Sequence, residues 1–94
     1  MLDWQAKPSG DDIADVYPRD ALLKHLKGAA TMRCGVTAKG TLQDCVVIHE
    51  YPEGEGFGIA ELKLAKRFRM SPTTQAGGSN AGATVVIPIH FSFN

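Results

Sequence analysis

Ninety-four residues are enough for one small domain and too few for two. Ten basic side chains balance ten acidic ones, and hydrophobic residues make up 44%. That is an ordinary soluble composition, and it argues against a nucleic-acid binder driven by phosphate attraction. The longest apolar stretch, 85–89, has the length of a strand and falls far short of the ~20 residues that span a bilayer. Met1 to Gln5 show neither a basic n-region nor an apolar h-region, so no signal peptide is expected at this start.

Residues 1–16 are acidic and turn-rich, with Asp3, Asp11, Asp12 and Asp15 against Lys7, and Pro8 and Gly10 as breakers. They read either as a lead-in arm anchored by Trp4 or as a disordered tail; the domain itself is expected over 17–94. Tyr17-Pro18 opens a first helix, about 18–27. Pro18 suits the first helical position, Asp20 suits the first turn, and Lys24, His25 and Lys27 suit the last. Gly28 is expected to end it.

A hairpin follows. Ala30, Met32, Cys34 and Val36 alternate with Ala29, Thr31, Arg33 and Gly35, the period of a half-buried strand. Ala38-Lys39-Gly40 is the turn, with Gly40 free to take a positive φ. The return strand, about 42–50, points Leu42, Cys45 and Val47 inward. The three-residue step from Leu42 to Cys45 breaks the alternation, and a bulge at Gln43-Asp44 repairs it. Both that register and a two-residue turn at Lys39-Gly40 set Cys34 opposite Cys45. Cross-strand neighbours lie near disulfide reach, so the pair is either bonded or two buried free thiols.

Tyr51 to Gly56 is a loop. A second helix, about 57–68, carries Phe57, Ala60, Leu64 and Phe68 as its core stripe. Lys63, Lys66, Arg67 and Arg69 form its basic outer face, read as a solvated one. Met70 and Pro72 end this helix, and 73–82 is a polar loop. The final strand, about 83–93, sets Val85, Ile87, Ile89, Phe91 and Phe93 against Val86, Pro88, His90 and Ser92. The order helix, strand, strand, helix, strand gives an α+β domain: a three-stranded antiparallel sheet with both helices on one face.

Chemistry is thin. Gly54-x-Gly56-x-Gly58 lies between a strand and a helix, but the sixth position of a dinucleotide fingerprint is Ile59. His25, His49 and His90 lack short ligand spacings, so no metal or other cofactor is expected. Glu50, Glu53 and Glu55 read as solvated loop carboxylates. No catalytic constellation is present, and an enzyme is not expected. Pro88 is more informative. It cannot donate to a ladder, so the final strand must lie at an edge with its 86/88/90 amide side unpaired. Such an edge either blocks aggregation or accepts a partner strand.

The ordered set of motifs resembles the C-terminal domain of the TonB energy-transducer family. It comprises Tyr17-Pro18 with Ala21, Leu26-x-Gly28, Val36-x-x-x-Gly40-x-Leu42, Ala60-x-Leu62, Phe68-x-Met70-x-Pro72 and Val85-x-Ile87-Pro88-Ile89-x-Phe91. It covers about residues 14–93. The resemblance implies a periplasmic domain that grips the TonB box, a short extended peptide of outer-membrane transporters, at the edge of its last strand. By position, the partner-binding residues are Val86, Pro88 and His90, with Tyr17 and Pro18 nearby. It further implies an inner-membrane anchor in a longer parent chain and coupling to an ExbB-ExbD-type motor through segments absent here. A periplasmic location favours the Cys34–Cys45 bond. Where well-known members carry glutamines before Tyr-Pro, this chain has Ala14 and Val16, and the usual late-helix tryptophan is Phe68. The alternative expectation is a structural or dimerisation module of the cell envelope, using the same edge to form a homodimer.

Overall fold

The computed structural model describes residues 4–71, 73 and 77–92. Its order is β1 (Trp4–Ala6), α1 (Gly10–Val16), α2 (Arg19–Leu23), β2 (Gly28–Val36), β3 (Leu42–Tyr51), α3 (Phe57–Leu64), a 3-10 turn (Ala65–Arg67), β4 (Arg69–Met70) and β5 (Thr84–Phe91). The main sheet is antiparallel, in the order β3-β2-β5. A second, two-stranded ribbon joins β1 to β4. The α+β architecture read from the sequence is the one observed.

The hairpin follows its local chemistry. The Thr37 amide donates to the Thr41 carbonyl at 2.9 Å, and Gly40 takes φ 86. Gly40 is also held by tertiary structure, because the Met70 amide donates to its carbonyl at 2.7 Å. The bulge is present, one position later than the expected Gln43-Asp44. Arg33 pairs with Val46 and Gly35 with Gln43, so Asp44 and Cys45 share the place opposite Cys34, and Asp44 sits at φ 53. Cys34 and Cys45 are disulfide-bonded across a Cα separation of 4.1 Å. A second irregularity, not legible beforehand, leaves Ile48 as the extra residue between the Met32–Val47 and Thr31–His49 pairs.

The inner sheet face and α3 build the core. Met32, Val36 and Phe91 are buried from the sheet, and Phe57, Ala60 and Leu64 from the helix. One member was unexpected. Glu61, one turn after Phe57, is fully buried, and neither carboxylate oxygen has a hydrogen-bond partner. Burial pushes its pKa from 4.5 up to about 8, so the side chain is protonated and uncharged at neutral pH.

Four expectations are corrected. Of the two readings of the arm, the disordered tail is the one that fails for residues 4–16, which carry β1 and α1. Ser9 and Asp12 form a reciprocal capping box, with the Ser9 amide donating to Asp12 Oδ2 at 2.9 Å and the Asp12 amide to Ser9 Oγ at 3.1 Å. The helix expected over 18–27 stops early, with Pro18 as its N-cap rather than its first residue. His25 takes φ 54; its amide donates to the Leu22 carbonyl, and the Leu26 amide to Ala21. That is a Schellman ending, built without glycine. Gly28 instead begins β2. Glu50 falls in β3, as the expected strand 42–50 had it, but it is not a solvated loop carboxylate: it accepts the Gly58 amide at 3.1 Å in the first turn of α3. The second helix ends at Leu64 with a 3-10 turn, and β4 follows. The expectations for Asp3, Pro72 and Phe93 lie outside the described residues.

Candidate functional site

Among the described residues β5 pairs on one flank only, with β2. Its register with β2 runs unbroken from Gly28–Phe91 to Gly35–Thr84. The Val36 amide donates to the Ala83 carbonyl at 2.9 Å, which sets the phase of the ladder. Amides of 85, 87, 89 and 91 therefore point at β2, and those of 84, 86 and 90 point away. Pro88, which has no amide hydrogen, falls in this outward set, as edge placement requires. Among the described residues no strand pairs with that flank. Side chains alternate with the same period: Val85, Ile87, Ile89 and Phe91 are buried, while Val86, Pro88 and His90 are exposed.

A groove of about 360 Å³ runs along the free flank beside residues 86–90. Its opposite wall is Trp4, Lys7, Pro8, Ile13 and Phe68. A second depression of about 280 Å³ continues it past His90, between Ser92 and Ile13, Ala14, Tyr17 and Leu22. The wall is held firmly. Trp4 packs on Phe68 with ring centroids 5.1 Å apart at 56°, the β1–β4 ribbon fixes Trp4 opposite Met70, and Arg67 lies 3.7 Å from Asp12.

Of the residues singled out from the sequence, Val86, Pro88 and His90 meet on the groove, and Tyr17 reaches its extension. Tyr17 is also a structural tie: its hydroxyl donates to the Leu26 carbonyl, and its ring packs edge-on against Phe57 and Phe91. Desolvation raises its phenol pKa. Pro18 stands apart, over Gly56 and Ile59. The wall residues Trp4, Lys7, Pro8 and Ile13 were not singled out as a site; the apolar Trp4 in an acidic arm was their one visible signal. Among the described residues no cluster of His, Cys, Asp or Glu could hold a metal. No described helix is long and apolar enough to cross a membrane.

The family model for the Gram-negative bacterial TonB protein C-terminal domain matches residues 14–93. The chain belongs to this TonB family. A solution NMR structure of the Pseudomonas aeruginosa TonB C-terminal domain shares the fold, with a TM-score of 0.72 at 18% identity. The alignment covers 99% of this chain and 87% of that one. No curated protein matches the chain. The TonB family match begins at Ala14, so most of the groove's outer wall lies ahead of the matched segment, whereas β5 lies within it.

Proposed function

We propose that this domain is the periplasmic binding end of a TonB-type energy transducer. It holds the TonB box of an outer-membrane transporter as an added strand along β5. The observation that carries this reading is the unpaired flank of β5, which presents the outward amides of Val86 and His90 beside a ready-made groove. Main-chain pairing supplies affinity in such strand addition, and side-chain pockets supply selection. Tyr17, Val86, Pro88 and His90 line the path of the guest; Pro18 stands outside that path and caps the start of α2. The domain acts by binding, not catalysis. Force and energy reach it from an ExbB-ExbD-type motor through an inner-membrane anchor on a longer parent chain. Titrating labelled domain with synthetic TonB-box peptides tests the reading. Saturable shifts of the Val86 and His90 amides are expected, and unmoved amides at millimolar peptide would overturn it.

The same vacant flank, with Val86 57% exposed, also favours a second reading, an envelope module that pairs β5 with β5 of a second copy. Sedimentation over a concentration series separates the two, since a tight dimer would occupy the site.

A further inference from the structure

A strand laid beside β5 alternates its side chains between two faces. Those opposite Val86, Pro88 and His90 stay on the open face of the sheet. Those opposite Ile87 and Ile89 point inward, towards Trp4, Pro8, Ile13 and Phe68 across the groove. That wall is apolar and already ordered by the Trp4–Phe68 ring contact, the β1–β4 ribbon and the Ser9–Asp12 capping box. Polar inward side chains would meet it without partners, at a desolvation penalty. One charge sits on its rim: Lys7 lines the groove, and none of the described lining residues is a carboxylate.

We propose that the arm of residues 4–13 is a selectivity wall, which reads the inward-facing side chains of the strand added to β5. It selects an extended segment with apolar residues at alternate positions and a carboxylate where the segment passes Lys7. The inference rests on the strand-addition reading above and deepens it by giving the guest its side-chain chemistry. Backbone pairing with β5 is indifferent to side chains; discrimination between guests comes from the arm, through apolar fit and charge complementarity. Four of the five wall residues precede the segment shared with the family model.

The test selects a randomised seven-residue peptide display library on the wild-type domain and on its Trp4→Ala and Lys7→Glu variants. Bound peptides are then mapped by amide shifts. The wild type is expected to enrich apolar residues at two positions separated by one, with Asp or Glu at a fixed offset. Trp4→Ala weakens the selected peptides about tenfold and erases the apolar alternation. Lys7→Glu, a change at an exposed side chain, keeps the domain folded and replaces the acidic preference with Lys or Arg. Unchanged preferences in both variants, with Val86 and His90 amides still moving, overturn the wall while leaving strand addition standing. Peptides that bind without moving those amides, or no enrichment at all, overturn strand addition and the wall with it.

Discussion

Gly28 lies so close beneath the ring of Phe57 that a β-carbon there would overlap ring carbons. The glycine is required by close approach at the start of β2, not by a helix ending. Phe57 is fully buried and also packs on Phe91 at 5.3 Å, so the ring has nowhere to go. Gly28→Ala should destabilise the domain by about 3 kcal/mol, as overpacking does. Adding Phe57→Leu should recover part of that loss, giving a strongly non-additive cycle in urea unfolding.

The Cys34–Cys45 bond closes a loop with a sequence separation of 11. Reducing it, or replacing both cysteines with alanine, should lower stability by about 3 kcal/mol through the unfolded chain. A thiol assay on the native oxidised protein should find no free thiol, and the thermal midpoint should fall on reduction.

Glu61 makes stability depend on pH. The unfolded chain releases this proton near pH 4.5 and the folded chain near pH 8. Between those values the folded state holds the extra proton, so stability falls as pH rises and levels off above about pH 8. Glu61→Gln should flatten that slope. Glu61→Leu should stabilise the domain by about 2 kcal/mol at pH 8 by removing an unpartnered buried carboxyl. Urea midpoints at pH 5 and pH 8 check both.

Pro88 is exposed and opposes Thr31 from the edge strand. Pro88→Ala should change thermal stability little, because the restored amide hydrogen faces away from β2. It should increase self-association, because the flank then presents an unbroken row of donors. Sedimentation from micromolar to millimolar protein reads this directly.

Much of this fold is legible because its determinants are local. The alternation of Val85, Ile87, Ile89 and Phe91 marks β5 and its buried face, and Pro88 puts it at an edge. The step from Leu42 to Cys45 announces the bulge, and the bulge brings the cysteines together. What escaped was either short or set by tertiary structure. Ser9-x-x-Asp12 is a readable capping pattern, but seven residues starting with glycine show no apolar stripe. β4 is two residues long and exists because β1 pairs with it. The spacing Phe57, Glu61, Leu64, Phe68 does place Glu61 on the buried stripe, but a carboxylate is not an expected core residue, and the stripe read from the sequence left it out. The groove was half visible: its floor follows from Pro88, while its far wall depends on Trp4 meeting Phe68, 64 positions along the chain.

The bond from the Met70 amide to Gly40 turns the hairpin tip into a fastening point. A β-carbon at Gly40 would collide with the Met70 carbonyl oxygen. Inserting a fluorophore tag or an epitope at Lys39-Gly40 would therefore prise the tip from the chain beyond α3. Gly54 is exposed with nothing within 4 Å of where its β-carbon would stand, but it holds φ 78, so a graft inserted after it with the glycine kept is the tolerated form, on a different loop from the groove.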